Sequence, residues 1–525
     1  MNRLFTSVVV GLAGIQGITL AAESRPKLVV GILVDQLRTD YLDNLKDMFG
    51  TGGFRRLMES GVYLKDVDFI VPGNDSGSAA SIIQTGAYPR YTGITGKMVY
   101  DPSVKGIVPV FKDSSYIGNF TDETYSPSAL RVTTLTDEIA YENKGNGSIH
   151  SIAPDAAEAI VLAGHSGNSA FWINDETGRW SSTTYYPNPP ASIQNLNYNS
   201  PLISRLDTMK WTPLRKGEPY LDVTQKEVKD GFKYTLSRSD RDVFSQYKDT
   251  PYLNSDITAV AGNYIKELNL GKNVESIDVL NIGYRLSPYE GASAAYDFPL
   301  QDAYLRLDKD LEQLFATLDR QVGKENVLIY LVSTGYFEEP VSDMPDSKYP
   351  GGTFSVKRSM SLLNAYLAAK YGNGAYVDQY FNGNVYLDRN SIEEKNLDLR
   401  RVTEDARDFL IRMSGVAEAY TTYDLVSPAI PRIEALRLAF DPKSSGDILL
   451  EFNPGWSVVD DSRFPSITQQ NKIEAYNTPG FIMGGNISPR VIEETVEATQ
   501  IAPTLARILR IRSPNSAVSK PFNIK

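Results

Sequence analysis

The sequence predicts an α/β fold, with a central, mostly parallel sheet flanked by helices and interrupted by inserted cap regions. Three observations carry that expectation. The stretch "KLVVGILVDQL" (27–37) is a nearly continuous apolar run containing Asp35, the pattern of a strand buried on both faces. Further apolar runs alternate with amphipathic stretches along the chain, as in repeated strand–helix units. The 525 residues are 42% hydrophobic and 22% charged, enough to bury a large core.

Taken in order, the first strand presents the Asp35 carboxylate at its C-terminal end, the edge where open α/β sheets bind ligands. "GGFRRLMESGVYL" reads as an amphipathic helix ended by Gly61, and "VDFIVPG" as the next strand. It leads into "VPGNDSGSAASIIQTG" (71–86), where Ser76 sits in a turn with small residues following. That hydroxyl is placed either as a nucleophile or as a helix N-cap, and the cap is the reading the residues favour. The alternation continues through "TTLTDEIAYENK", "GSIHSIAP", "DAAEAIVLA" and "SAFWIND". Residues 181–250 are rich in Tyr, Asn, Pro and Ser and read as an inserted cap. Strand and helix patterns resume with "SDITAVAGNYIKELNLG", "SIDVLNIGYRL", "QDAYLRLDKDLEQLFATLDRQVG" and "NVLIYLVST". Residues 350–460 form a second irregular region, and the chain closes on a strand in "GFIMGG" and a helix in "TQIAPTLARILRI".

Net charge is −11, which argues against nucleic acid as a partner. The first 22 residues read as a secretory signal peptide, with residues 23–525 as the mature chain. No later stretch has the ~20 consecutive apolar residues of a membrane span. The chain has no cysteine, which fits an exported protein of the bacterial periplasm or outer surface that is held together by its core. It has two histidines, His150 and His165, which restricts metal and acid–base chemistry. The acidic groups "FEEP" and "VVDDS" lack the spacing of a calcium loop.

The motifs "VVGILVDQLRTDYL", "GGFRRLMESG", "AGHSGNSAFW", "DAYLRLDKDL" and "TQIAPTLARILRI" fall in an order that resembles the alkaline phosphatase superfamily. The nearest branch holds the type I phosphodiesterases/nucleotide pyrophosphatases and the PafA-like bacterial alkaline phosphatases. The resemblance implies an alkaline-phosphatase-like core, phosphate-ester hydrolysis by a Thr or Ser nucleophile, and two zinc ions held by Asp and His. Matched to the family, Asp35 is the first metal-binding Asp and Ser76 falls on the nucleophile, with Asp75 as the alternative alignment. Lys97 replaces an Asn that binds a phosphoryl oxygen. Asp155 and Ala157 replace a Lys and an Arg that grip the phosphate. Pro288, Ala292, Thr334, Gly335 and Asn477 replace the other five metal ligands, and Glu290 reads as a solvated carboxylate rather than a new ligand.

The resemblance therefore implies a lost zinc site and no cofactor. The expectation is a catalytically inactive binding or structural component of the cell envelope, working through contacts with other envelope proteins. Two alternatives stand beside it: an active phosphatase or phosphodiesterase with a rebuilt site using Ser76, or a ligand-binding module in the old cleft. Asp35, Ser76, Lys97 and Asp155 are the candidate cleft residues. For Asp35 the expected partner is a neighbour such as Lys97, and Lys97 itself either fills vacated metal space or lies solvated in its loop.

Overall fold

The structure, a computed structural model, describes residues 25–524 apart from 188, 219, 222, 288–296, 338–350, 428–432, 463–466, 471–475 and 486. The N-terminal segment read as a signal peptide lies outside the described residues, as do Pro288, Glu290 and Ala292.

Ten strands form the central sheet: β1 (Leu28–Asp35), β2 (Val62–Leu64), β3 (Gly118–Asn119), β4 (Ile149–Ile152), β5 (Ser169–Ile173), β6 (Trp180–Thr183), β7 (Asp278–Arg285), β8 (Val327–Ser333), β9 (Gly480–Gly484) and β10 (Arg490–Ile492). Their spatial order is β10-β2-β9-β8-β1-β7-β4-β5-β6-β3. The middle, β8-β1-β7-β4-β5, is parallel throughout, and β9 and β6 pair antiparallel on either side of it. The apolar run in β1 has a direct cause. Val30, Ile32 and Val34 pack into one core while Val29 and Leu33 pack into the core on the other face, so both alternating sets must be apolar.

Seven helices position the site or cover the sheet: α1 (Ser76–Thr85), α2 (Leu135–Glu142), α3 (Ala156–Ala163), α4 (Val243–Lys248), α5 (Pro251–Glu267), α6 (Asp297–Gln321) and α7 (Ile501–Leu509). One expected element differs. In "VDFIVPG" only Val67 and Asp68 are extended in a ladder, and they pair with Val496–Glu497 away from the central sheet. Ile70 has φ +62 and Pro72–Gly73 turn the chain, so the run ends after two residues despite its apolar composition.

Between β6 and α5, residues 184–250 pack Leu206, Trp211 and Tyr220 into the same core as Val30 and Ile32. Trp211 anchors them: it is buried and its Nε1 donates to Asp302 Oδ2 on α6 at 2.8 Å. The tyrosines of this stretch divide between core and surface. Tyr186 is buried and the Tyr185 hydroxyl donates to the His165 carbonyl at 2.7 Å, whereas Tyr198 is exposed. Residues 352–470 build a module with a four-stranded antiparallel sheet and a three-stranded one. Its own core gathers Leu363, Leu367, Val402, Leu410 and Ile448. Arg131 ties the module to the main body through a bidentate pair with the buried Asp441, at 2.7 and 3.1 Å. Among the described residues no helix is long and apolar enough to cross a membrane.

Candidate functional site

The C-terminal ends of three adjacent parallel strands meet at one cleft. Strand β1 delivers Asp35, and the β1–β7 register sets Arg285 directly opposite it. Arg285 Nε lies 3.8 Å from Asp35 Oδ2. Just past β8, the Thr334 hydroxyl donates to Asp35 Oδ1 at 2.7 Å. The expected pairing of Asp35 with Lys97 is therefore replaced by Thr334 and Arg285. Gln36 follows in the left-handed region at φ +64, a turn that swings the chain off the sheet edge as the strand ends.

Helix α1 supplies the other wall. Asp75, not Ser76, is its N-cap: Asp75 Oδ1 accepts from the Ser78 amide at 2.9 Å, and the Asp75 amide donates to Ser78 Oγ at 3.0 Å. The second Asp75 oxygen accepts from the Lys97 amide at 2.7 Å. The cap role expected of Ser76 thus belongs to its neighbour. Ser76 becomes the first helical residue, 1% exposed, with a hydroxyl that has no hydrogen-bond partner among the described residues. A helix start concentrates amide N–H groups and positive potential, which favours an anion there.

Asp155, at the N-terminus of α3, sits among three cations. Lys97 Nζ and Arg285 Nη2 donate to its Oδ2 at 2.9 and 2.6 Å, and Lys248 Nζ to its Oδ1 at 2.8 Å. Burial opposes the charged carboxylate, but Lys248, Lys97 and Arg285 override it and hold Asp155 well below the usual carboxylate range. Burial likewise opposes the Lys97 ammonium, and Asp155 outweighs it, so Lys97 titrates above its ordinary value. Lys97 is thus a fixed cation and not a base. The bare Cα of Gly77 lets this happen: an added Cβ would lie 3.0 Å from Lys97 Cγ and 3.3 Å from the Ala157 methyl.

Behind Asp155, the Glu158 side chain is 1% exposed and neither carboxyl oxygen has a hydrogen-bond partner among the described residues. Burial, then the charges of Asp155 and Asp35, push it up to about 8, so it is predominantly a neutral acid at pH 7.

Asp35, Ser76, Lys97 and Arg285 line one cavity of about 300 Å³, together with Asp75, Asp249 and Tyr336. The structure brings three of the four candidate residues onto this wall, and Asp155 lies behind it, bonded to two of the wall's cations. Sequence reasoning took the cationic clamp to be missing. It overlooked Arg285 and Lys248, which supply cations from positions the family motif does not name. Arg285 had a signal, since it ends the apolar strand "DVLNIGYR" as Asp35 ends "LVVGILVD". Lys248 lies at the end of α4, in the stretch between β6 and α5, and had none. Asn477 is exposed, and its carbonyl accepts from the Thr39 amide at 3.0 Å. Gly335 has φ +68, and a Cβ there would lie 2.4 Å from the Phe69 ring, so close packing keeps that position a glycine. A larger groove of about 940 Å³, lined by Arg131, Tyr141, His165 and Arg512, opens at the other end of the strands.

The model of the type I phosphodiesterase / nucleotide pyrophosphatase family matches residues 29–481. The chain belongs to that family. Alkaline phosphatase PhoV of Synechococcus elongatus is 28% identical over 524 residues, covering 95% of this chain and 92% of PhoV. Alkaline phosphatase PafA of Elizabethkingia meningoseptica is 28% identical over 543 residues, covering 98% and 97%. The crystal structure of wild-type PafA superposes with a TM-score of 0.80 at 27% identity, covering 95% of this chain and 98% of that one. The fold is that of the PafA-like alkaline phosphatases within the alkaline phosphatase superfamily, and the family is enzymatic.

These comparisons overturn two expectations. The reading of the chain as a catalytically inactive homologue falls, because the relatives that match it over nearly their whole length are alkaline phosphatases. The expectation of no cofactor falls with it, since it rested on the same inference from replaced ligands. The donor set is a separate matter. Among the described residues no group of three or more His, Asp or Glu side chains converges as a metal cage. Asp35, the one matched ligand, accepts from Thr334 and faces a guanidinium. The described residues do not fit the family's two zinc ions.

Proposed function

We propose that the cleft takes the phosphoryl group of an organic phosphate ester and hydrolyses it, with Ser76 as the attacking hydroxyl. One observation carries this reading: a buried Ser76 Oγ without a hydrogen-bond partner among the described residues, at the start of α1, on a cavity it shares with Lys97 and Arg285. A hydroxyl at a helix N-terminus beside two fixed cations is where a phosphoryl group finds both an attacking oxygen and charge complementarity. The Oγ–phosphorus bond forms as the ester P–O bond breaks, and the departing alkoxide takes up the proton that the serine hydroxyl gives up. Water then cleaves the phosphoserine and releases phosphate. In this reading Asp35 or Asp249, two of the carboxylates that line the cavity, takes the serine and water protons.

The test is turnover of an aryl phosphate ester by the purified full chain. Ser76→Ala should lower kcat/KM by at least about a hundredfold, and Arg285→Met by a comparable factor. Turnover that survives Ser76→Ala, or none by the wild-type chain with monoester and diester substrates alike, overturns the reading.

A further inference from the structure

We propose that Asp155 is a built-in counter-anion that sets how tightly the cleft takes a phosphoryl group, by competing with it for Lys97 and Arg285. The inference rests on the phosphoryl reading of the cleft and adds what limits its affinity. Among the described residues, two cations, Lys97 and Arg285, line the cavity against three carboxylates, Asp35, Asp75 and Asp249. Both cations already donate to one oxygen of Asp155, at 2.9 and 2.6 Å. A phosphoryl oxygen that reaches Lys97 or Arg285 must therefore share them with a carboxylate already in place.

The cations are unequally available. The Lys97 side chain is 34% exposed and that of Lys248 is 3% exposed. Lys248 also holds Asp175 at 2.7 Å, and it does not line the cavity. Lys248 therefore stays with Asp155 while Lys97 and Arg285 turn to a ligand, so Asp155 keeps one partner when the cleft fills. The competition is graded, because Asp249 Oδ1 lies 3.8 Å from Arg285 Nη1 on the cavity wall and draws on the same guanidinium more weakly. Asp155 acts here through the two cations and is a positioning residue, not a catalytic one.

The experiment is calorimetric titration of the full chain with inorganic phosphate, alongside circular dichroism and melting to verify the fold. Asp155→Asn, which removes the charge and keeps the shape, should tighten phosphate at least about tenfold. Asp249→Asn, at a more exposed carboxylate, should tighten it about two- to threefold. Adding Arg285→Met to Asp155→Asn should erase the gain. A folded Asp155→Asn protein with unchanged or weaker affinity overturns the proposal, as does a gain that survives Arg285→Met. Should Asp155→Asn fail to fold, Asp249→Asn decides, and unchanged affinity there overturns the proposal. Failure of the hydrolytic reading is separable: tighter phosphate without ester turnover removes that reading alone, and turnover without tighter phosphate removes this one alone.

Discussion

The two histidines of this chain titrate in opposite directions, and each direction follows from what its ring touches. His150 is buried, with Nδ1 against Ser169 Oγ at 2.8 Å and its ring edge-on to Tyr264, and burial pushes it down to about 4. As pH falls below about 6.5, the unfolded chain takes a proton there that the folded chain refuses until about pH 4. This group alone withdraws about 3 kcal/mol of stability across that window. Urea melts of wild type and His150→Gln at pH 7 and pH 4.5 should show the variant losing less on acidification. His165 behaves oppositely. Its Nδ1 meets Asp137 Oδ2 and its Nε2 the Leu130 carbonyl, both at 2.9 Å. Only the doubly protonated ring donates to both, and the Asp137 hydrogen bond raises its pKa against the opposing effect of burial. That stability is fully present below about pH 6.5 and is lost as pH rises through the higher folded value. His165→Gln should therefore cost more at pH 6 than at pH 9, and an equal cost at both would exclude a charged ring.

At the scale of elements, the strands were legible and their company was not. A strand buried on both faces must be apolar at every position, so "LVVGILVD" and "VLIYLVS" announced themselves, and each proved a central strand of the sheet. "VDFIVPG" misled because composition carries no record of the φ +62 at Ile70. The site was half legible for a related reason. Asp35, Ser76 and Lys97 lie on motifs with fixed spacing, whereas Arg285 reaches the site through strand register and Lys248 through the packing of the stretch between β6 and α5. One interior position tests the sheet itself. An added Cβ at Gly31 would lie 2.2 Å from Asn281 Oδ1 and 2.3 Å from the Tyr330 hydroxyl, two groups that hydrogen-bond to each other at 3.2 Å. Gly31→Ala must push both aside and break that bond in a core packed on two faces. Its expected cost is about 2–4 kcal/mol, measured by equilibrium denaturation, and a cost below about 0.5 kcal/mol would show that the neighbours yield freely.

At the scale of the whole molecule, the module at 352–470 has its own core and is held to the main body in part by ion pairs. The Arg131–Asp441 pair is the best buried of these on its acidic side, with Asp441 only 1% exposed. Arg131→Met leaves that carboxylate without its guanidinium, at an expected cost of about 2–4 kcal/mol. Limited proteolysis of the variant should release the module earlier than in wild type, with cuts at its borders. Simultaneous loss of both parts would show a single cooperative unit instead.

The grip of Lys248 on Asp155 also ties two distant stretches of the chain to one electrostatic balance. Lys248 belongs to a segment the sheet does not need for its own pairing, yet it neutralises part of a carboxylate fixed to the framework. Exchanging that segment between homologues would transplant electrical polarity together with shape. A chimera that keeps Asp155 but takes a loop without the lysine would inherit a more acidic cleft, however faithfully its backbone was copied.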